Sequence, residues 1–168
     1  LQILAGAVIP SEGSAKFTTA QGKTIPQELV YQQISITAPY LDLIEEMTAT
    51  EFLAFHANFK PLLLNFSSLE ILEKVGLANA RNKQIRYFSS GMKQRLKLAQ
   101  AIFSESKCLF LDEPCTNLDD QGYSLYQSLI EEFHHNRMIL VSSNDPREYN
   151  FTATRLLMNM ETREWQVL

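Results

Sequence analysis

The stretch YFSSGMKQRLKLAQAIFSESKCLFLDEP, residues 87–114, decides how the chain folds. It opens with two serines and a glycine and continues as a basic segment with helical periodicity, which predicts a helix over about residues 90–104. Residues 108–111 are a continuous apolar run, typical of a strand that is buried on both faces. Asp112 and Glu113 follow this run, so the stretch predicts two carboxylates at the carboxyl end of a buried strand.

Further predicted elements lie on both sides of this stretch. Two pairs, Thr48 with Glu51 and Ser67 with Glu70, have the form of a capping box and each predict the start of a helix. Other expected elements are a short helix at 1–6, strands at 14–18 and 28–37, a helix at 120–134, a strand at 138–141 and a closing hairpin at 154–160 and 165–168. The alternation of strand, helix and strand in the second half predicts an α/β fold with a parallel sheet.

The composition is that of an ordinary globular domain. The 168 residues suit one domain, and 45% hydrophobic with 20% charged residues are sufficient for a core. The net charge of −4 disfavours nucleic acid as a partner, because proteins that bind nucleic acid usually carry a basic surplus. The apolar runs are too short to span a bilayer. The spacing of the two cysteines matches no zinc pattern, which favours a reduced, cytoplasmic setting.

Polar residues follow both buried strands, at Asp112 and Glu113 and again at 142–144. In a parallel sheet, ligands bind beyond the carboxyl ends of the strands. A strand that ends in Asp is how P-loop nucleotidases hold Mg²⁺, and a second carboxylate beside it can accept a proton from an attacking water. The alternative for the same residues is a strand that runs into an acidic loop.

The small residues Ser89, Ser90 and Gly91 precede the predicted helix at 90–104. The start of a helix offers free backbone N–H groups and a positive dipole end, which suit a phosphate. The alternative is an ordinary serine cap followed by a solvated basic face, formed by Lys93, Arg95 and Lys97.

In this order and at this spacing, the motifs resemble those of the ATP-binding cassette (ABC) family. The family signature LSGGQ corresponds to Phe88-Ser89-Ser90-Gly91-Met92, and its Walker B strand with the catalytic glutamate resembles LFLDE, which ends at Glu113. Its D-loop resembles TNLDD, residues 116–120, with Asp119 as the D-loop aspartate. The opening LQILAG and PSEGSAKF are similar to the helix and turn that follow the phosphate loop, so the resemblance covers nearly the whole chain.

The resemblance implies a fold and a set of roles. The fold is a P-loop NTPase-type, mostly parallel sheet, with residues 1–168 as one ABC ATPase domain and a helical subdomain at about 40–104. The cofactors are ATP and Mg²⁺. Asp112 holds the Mg²⁺ shell, and Glu113 orients and activates the hydrolytic water. The remaining implied ligands are Ser89, Ser90 and Gly91 for the γ-phosphate of ATP on the other subunit, and Asp119, which helps to tie the two sites together.

The resemblance also implies partners. ABC ATPases form head-to-tail dimers with two ATP molecules between them, and they drive a transmembrane permease. We therefore expect an ATP-hydrolysing transporter subunit that is cytoplasmic and peripheral at the inner face of the cell membrane. The phenylalanine-rich stretch at 52–66, with Phe52, Phe55 and Phe59 as an apolar stripe, is expected to be core, while part of it could dock a coupling helix.

Three departures from the family pattern stand out. No G-x-x-x-x-G-K-[ST] loop occurs, and the likeness of LQILAG places it before Leu1, so we expect the Walker A region to be missing and this chain alone to bind ATP weakly or not at all. Pro39 stands where the family has a glutamine that senses the γ-phosphate, which leaves that task to backbone groups or to Tyr40. Asn144 stands where the family has its switch histidine, and asparagine can donate a hydrogen bond but cannot carry charge.

A second interpretation follows from these departures. The chain could be a catalytically impaired regulatory or interaction module of ABC shape, which Pro39 and Asn144 favour. The intact pair of Asp112 and Glu113 and the serine-glycine signature count against it. For the two thiols, we expect Cys108 to be buried with its strand and the side chain of Cys115 to be partly exposed.

Overall fold

A parallel sheet lies at the centre of this computed structural model, which describes residues 1–63, 66–158 and 165–167. Its strands are β3 (Ile34–Thr37), β4 (Cys108–Asp112) and β5 (Met138–Ser142), in the order β3-β4-β5. The register pairs β4 with both neighbours, residue for residue, up to Asp112 beside Ser142. The carboxyl ends of the strands therefore meet at one edge, and the predicted α/β class with a parallel sheet is confirmed.

Five α-helices lie in the described residues, and a side chain caps each of them except the first. They are α1 (Val30–Gln33), α2 (Ala49–Ala57), α3 (Ser68–Lys74), α4 (Ser90–Ile102) and α5 (Asp120–Phe133). Both predicted capping boxes are present: the Thr48 amide donates to Glu51 and the Ser67 amide to Glu70, each at 2.8 Å. A cap of this kind stabilises a helix by about 1 kcal/mol, which matters for helices of seven and nine residues.

The core follows from the alternation of side chains along β4. Leu109 and Leu111 face the larger cluster, which the helices α2 to α5 complete, while Phe110 faces a smaller cluster with Val30 and Ile34. Successive side chains of a strand point to opposite faces, so a continuous apolar run is what a strand between two apolar layers requires. Burial of β4 on both faces, as predicted, is confirmed by exposures of 3% or less at residues 109–111.

Two hairpins flank the sheet. Near the start of the chain, β1 (Phe17–Thr18) pairs antiparallel with β2 (Thr24–Ile25). At the other end, β6 (Leu156–Met158) pairs antiparallel with β7 (Trp165–Val167), which confirms the closing hairpin; its predicted positions 159, 160 and 168 lie outside the described residues. In the parts of the chain that the structure describes, no helix is long and apolar enough to cross a membrane.

Three predicted elements are wrong in whole or in part, and of the strand predicted at 14–18 only Phe17–Thr18 forms. Residues 1–6 form hydrogen-bonded turns, such as the Ala5 amide to the Leu1 carbonyl at 2.8 Å, and not a helix. Of the strand predicted at 28–37, only Ile34–Thr37 is extended, because β4 offers ladder partners to these four residues alone. The preceding Val30 is 1% exposed and packs in the smaller cluster as part of the short helix α1.

The expected apolar stripe of α2 is also wrong. The helix buries Ala49, Phe52 and Leu53, while Phe55 and Phe59 are 41% and 69% exposed. Spacings of three and four residues from position 49 define the buried face, and a residue two positions beyond Leu53 points away from it. The expectation for the thiols is reversed, since Cys115 is 2% exposed and Cys108 is only half-buried.

Candidate functional site

The predicted catalytic carboxylate lies directly beyond the edge where the strands end. Asp112 is the last residue of β4 and pairs with Ser142 of β5. The amide of the next residue, Glu113, still donates to the Ser142 carbonyl at 2.8 Å, but its φ of 43° has left the extended region. A left-handed conformation is uncommon for a residue other than glycine, and it persists only when the surroundings impose it.

Glu113 and Asn144 contact each other. The Oε1 atom of Glu113 accepts from the backbone N and from the side-chain Nδ2 of Asn144, both at 3.3 Å. One face of the carboxylate is therefore oriented by two donors from the loop after β5. The structure thus brings together Glu113, the predicted catalytic glutamate, and Asn144, which stands at the position of the switch histidine, at the end of the strand that carries Asp112.

The loop that carries Asn144 is fixed from α5. The next residue, Asp145, accepts from the hydroxyl of Tyr123 at 2.8 Å and from the guanidinium of Arg147 at 2.8 Å. Hydrogen bonds from Arg147 and then from Tyr123 hold the pKa of Asp145 well below its usual range. The guanidinium of Arg147 also lies 4.1 Å from the centre of the Tyr123 ring, a cation–π distance. Asp145 therefore stays ionised and holds the loop in place.

The start of α4 carries the predicted phosphate-binding residues. Ser89 caps the helix, since its hydroxyl accepts from the Met92 amide at 3.2 Å, and both Ser89 and Ser90 are exposed. A Cβ added to Gly91 would lie 3.1 Å from the backbone oxygen of Asn117, so the helix approaches the loop after β4 as closely as a glycine allows. The amides of a first helical turn have no intrahelical partner, which leaves this exposed end suited to an anion.

Asp119 joins two helices. Its carboxylate caps α5 by accepting from the Gly122 amide at 2.8 Å, and it lies 3.5 Å from the guanidinium of Arg95 on α4. The side chain is nevertheless 70% exposed, so it can still meet a second chain. The cap belongs to the local structure, whereas the exposed remainder leaves the predicted contact with a second subunit possible.

Pro39 is bound to α4 through its backbone. Its carbonyl accepts from the Nζ atom of Lys97 at 2.9 Å, and partial burial lowers the pKa of that ammonium. On the same helix, Lys93 pairs with Glu45 and Arg95 with Asp119. The three cations of the basic face on α4 are half-buried, and each contacts a specific oxygen.

A cavity of about 210 Å³ lies between the Pro39 loop and α4. Its lining includes Pro39, Ser90, Lys93, Lys97 and Asn117. Ordinary ligand pockets measure about 300–1,000 Å³, so this cavity alone does not enclose a nucleotide. The structure thus brings Pro39 and Ser90 together in one place and Glu113 and Asn144 together in another.

The donors present fit Mg²⁺ as a partner of phosphates. Asp112 supplies a hard carboxylate oxygen at the strand end, with the hydroxyl-bearing Ser142 beside it in the register. Within the described ranges, no group of three or more His, Cys, Asp or Glu side chains could hold a metal by itself. Mg²⁺ is usually bound by one or two carboxylates together with waters and substrate phosphates, which a lone Asp112 satisfies.

Sequence reasoning missed two buried polar residues beside the carboxylates. Gln94 on α4 is 3% exposed and Glu148, in the turn after Asn144, is 2% exposed. Both contact the backbone between Glu113 and Asn117. Helical periodicity could have placed Gln94 on the inner face of α4, four positions before the buried Leu98, but no sequence pattern indicates its partner.

Comparison with known proteins agrees with the geometry. The family model described as ABC transporter matches residues 1–116. An ABC transporter ATP-binding protein of Bacillus subtilis, YxlF, is 35% identical over 147 residues, which is 86% of this chain and 48% of that protein. A second protein of this description from the same organism, YybJ, is 29% identical over 146 residues, 86% of this chain and 66% of its own length. The chain therefore spans about two thirds or less of these relatives.

Solved structures show the same fold. The dimeric structure of a post-hydrolysis state of the ATP-binding cassette MJ0796, bound to ADP and Pi, superimposes with a TM-score of 0.74 at 20% identity, over 91% of this chain and 72% of that one. The predicted P-loop NTPase-type fold is thereby confirmed. From the motifs, the matched residues 1–116 and this fold together, the chain belongs to the ABC transporter family, as one of its ATPase domains.

Proposed function

We propose that this chain is the ATP-hydrolysing part of an ABC transporter subunit, which powers transport through a partner permease. The observation that carries the proposal is the contact of Glu113 with Asn144 at 3.3 Å, directly beyond Asp112. A carboxylate suited to Mg²⁺, a second carboxylate suited to water and an amide donor thus meet at the edge of a parallel sheet where nucleotides bind.

In the proposed reaction each of these residues has one task. Asp112 would hold the Mg²⁺ shell, through which the site would supply positive charge to the phosphates. Glu113 orients the attacking water and accepts its proton. Asn144 uses one N–H of its side chain to hold the Glu113 carboxylate, and its second N–H is available to the γ-phosphate. Because the amide is neutral, it stabilises the developing charge less than a cationic histidine would.

A second copy of the domain completes each site in this proposal. Ser89 and Ser90 are exposed at the start of α4, and Gly91 packs on Asn117, while the Glu113 carboxylate is turned to Asn144. An exposed anion-binding helix start suits the γ-phosphate of ATP on a facing chain. The exposed part of Asp119 lies where such a chain would contact it, which supports its role between the two sites.

The helical region at about 40–104 supplies the surface for a membrane partner. Helices α2 and α3 pack on each other and on α4, and the exposed rings of Phe55 in α2 and of Phe59, two residues after its end, meet edge to face at 5.0 Å. Near the Pro39 loop, Tyr40 is 46% exposed. Exposed aromatic side chains of this kind are typical of protein interfaces, which supports docking of a cytoplasmic helix of a permease here.

The test is ATPase activity of the protein expressed from its complete reading frame, compared with its Glu113→Gln variant. We expect the wild type to hydrolyse ATP and the variant to bind ATP without turning it over. The 168 residues contain no G-x-x-x-x-G-K-[ST] loop, and from these residues alone we expect only weak ATP binding. Equal activity of wild type and variant would remove Glu113 from the mechanism.

The second candidate is a regulatory or interaction module of ABC shape that binds but does not hydrolyse ATP. It is favoured by Pro39, whose carbonyl is used by Lys97 and whose side chain donates nothing, and by the neutral Asn144. The same assay separates the two functions. A module would show ATP binding in both forms and turnover in neither.

A further inference from the structure

The peptide between Pro114 and Cys115, which follows Glu113, is held from both sides by buried side chains. The Nε2 atom of Gln94 donates to the Pro114 carbonyl at 2.6 Å. On the other side, the Oε1 atom of Glu148 accepts from the Cys115 amide at 2.9 Å. Both polar groups of one peptide are therefore bound by side chains that are 3% and 2% exposed.

The two side chains come from different functional segments. Gln94 lies in α4, one turn after the exposed Ser89 and Ser90. Glu148 ends the 3₁₀ turn Pro146–Glu148, four residues after Asn144. Its own backbone is anchored, since its amide donates to the Asp145 carbonyl at 3.0 Å and its carbonyl accepts from the Tyr126 hydroxyl at 2.8 Å. The peptide thus links the start of α4 to the loop that carries Asn144.

Burial of the Glu148 carboxyl group costs free energy, which makes it an unusual choice for a position with a purely structural role. Its second oxygen, Oε2, is buried and makes no hydrogen bond within 3.5 Å among the residues that the structure describes. Burial raises the pKa of this carboxyl, and the Ser143 hydroxyl and the Cys115 amide lower it by a smaller amount. An apolar side chain would avoid the cost of burying such a group. What the carboxyl provides instead is an oriented acceptor for one backbone amide.

The left-handed backbone conformation of Glu113 must be stabilised by contacts with other residues. Its φ of 43° is in the left-handed region, and its carbonyl already accepts from the amide and the hydroxyl of Thr116 at 3.1 and 2.9 Å. The φ and ψ of Glu113 are set by the peptides on either side of it, and Pro114, whose ring fixes its own φ, joins the second of these to the Pro114–Cys115 peptide. A rotation of the Pro114–Cys115 peptide would therefore reach Glu113 through Pro114, and its carboxylate would leave Asn144.

We propose that Gln94 and Glu148 are positioning residues that clamp the Pro114–Cys115 peptide and thereby hold the Glu113 carboxylate against Asn144. This inference rests on the proposed function, in which Glu113 acts on the hydrolytic water. Neither residue contacts the nucleotide. Their loss therefore lowers turnover through the position of Glu113 and leaves nucleotide affinity unchanged.

The test uses ATPase kinetics of the protein expressed from its complete reading frame. Glu148→Ala removes the acceptor, and a displaced catalytic group costs roughly 10- to 100-fold in kcat, with KM for ATP within about twofold of wild type. Glu148→Gln keeps a carbonyl oxygen for the Cys115 amide, and we expect it to retain kcat within about threefold. Gln94→Glu replaces the donor by an acceptor opposite the Pro114 carbonyl, and we expect a loss like that of Glu148→Ala.

The matched control is Glu70→Ala. It removes the same kind of bond, a carboxylate on a backbone amide at 2.8 Å, but in the capping box of α3. We expect it to lower the melting temperature and leave kcat unchanged. If Glu148→Ala does not fold, Gln94→Met and Glu148→Gln carry the test, with amide exchange at Cys115 by NMR: we expect faster exchange in Gln94→Met than in Glu148→Gln.

The failures can be told apart. If Glu113→Gln turns over ATP as the wild type does, the proposed function is wrong. If Glu113→Gln is inactive while Glu148→Ala and Gln94→Glu keep wild-type kcat, the clamp is wrong and the function stands. Equal losses in Glu148→Ala and Glu148→Gln, or a loss confined to KM, also overturn the clamp. In a Glu113→Gln background, Glu148→Ala should cause no further loss of turnover.

Discussion

The carboxyl edge of the sheet and the start of α4 use their polar groups in opposite ways. At the edge, the Glu113 carboxylate accepts twice from Asn144, and the Glu113 backbone is tied to β5 and to Thr116. At the start of α4, Ser89 satisfies one amide of its own helix and otherwise faces outward with Ser90. The first region is organised within the chain, and the second presents a binding surface to something outside it.

This difference matters because the two regions lie side by side. A Cβ on Gly91 would lie only 3.1 Å from the Asn117 oxygen in the loop that leaves Glu113, and Gln94 donates to the Pro114 carbonyl. The helix start is therefore braced against the catalytic loop of its own chain. Under the proposed function it nevertheless serves the ATP of another chain, so the brace is a direct mechanical link between two sites.

The largest expected effect on ATP turnover is at the carboxyl edge of the sheet, where Glu113 lies. Glu113→Gln keeps the shape of the side chain and its acceptor for Asn144 but cannot accept a proton, so we expect turnover to fall by about 100-fold or more. Steady-state ATPase assays on the protein from its complete reading frame measure this. The control is Glu105→Gln, on the connection before β4, for which we expect wild-type rates. A wild-type rate for Glu113→Gln would show that the organised carboxylate at the sheet edge is not used in ATP hydrolysis.

A mixing experiment tests whether the two regions serve different ATP molecules. Gly91→Ala places a Cβ against the Asn117 carbonyl and should disable the helix start, and Glu113→Gln disables the edge. In a dimer of one chain of each kind, one site carries both defects and the other carries none. An equimolar mixture, in which about half of the dimers are mixed, should therefore recover about a quarter of wild-type activity.

The result of mixing can also contradict the comparison. If both regions acted on the same ATP, every site in a mixed dimer would carry one defect, and the mixture would stay inactive. Mixing two preparations of Glu113→Gln is the matched control and should recover nothing. Size-exclusion chromatography with ATP shows whether mixed dimers form, which any interpretation of the activity requires.

Much of the sheet edge around Glu113 and Asn144 was predictable, because the sequence patterns that indicate its strands are local. A continuous apolar run predicted β4, and the ends of two parallel strands predicted that Glu113 and Asn144 lie near each other. Capping pairs predicted α2 and α3 for the same reason. Local signals of this kind depend on residues within four positions of each other, so the sequence displays them directly.

What could not be predicted depends on tertiary partners. The strand at 28–37 is shortened to Ile34–Thr37 by the length of β4, which no property of the segment itself reveals. In the sequence, Gln94 and Glu148 show no feature that distinguishes them from other polar residues. Only the fold shows that both bind the Pro114–Cys115 peptide. The acceptors of the basic residues of α4, such as the Pro39 carbonyl, are distant in sequence, so no local pattern predicts these contacts.

A smaller effect is expected at Asn144. Asn144→His offers a donor that can carry charge at the position from which the amide now reaches Glu113, so we expect turnover to rise by roughly three- to tenfold. The rise should disappear when Glu113→Gln is added, because the histidine acts in the same site. Asn150→His, in the exposed segment that follows, is the control and should change nothing. An unchanged rate for Asn144→His would show that charge at this position does not limit turnover.

The smallest expected effect is on stability and concerns the C-terminal end of α4. Side-chain hydrogen bonds hold this end to α2, whereas the N-terminal end of the helix is exposed. His56 of α2 donates from Nε2 to the hydroxyl of Ser104 at 2.7 Å and accepts at Nδ1 from the side chain of Gln100 at 3.0 Å. Ser104 in turn donates to the Gln100 carbonyl at 2.6 Å, so the hydroxyl must accept from His56, and the ring must be neutral at Nδ1. Burial lowers the pKa of His56, and the nearby ammonium of Lys60 lowers it further.

A histidine whose pKa is lower in the folded state than in the unfolded chain destabilises the fold on protonation. The free energy of unfolding should be highest above the unfolded pKa of about 6.5 and should fall as the pH drops through and below that value. We expect His56→Gln to lose this part of the pH dependence of the melting temperature, and His135→Gln, beyond the end of α5, to keep it. The hydrogen bonds of His56 join α2 to the C-terminal end of α4. We therefore expect His56→Gln to leave unchanged the ATPase activity that is recovered by mixing Gly91→Ala and Glu113→Gln chains at pH 7.5. A change there would mean that the exposed start of α4 is not independent of its fixed end.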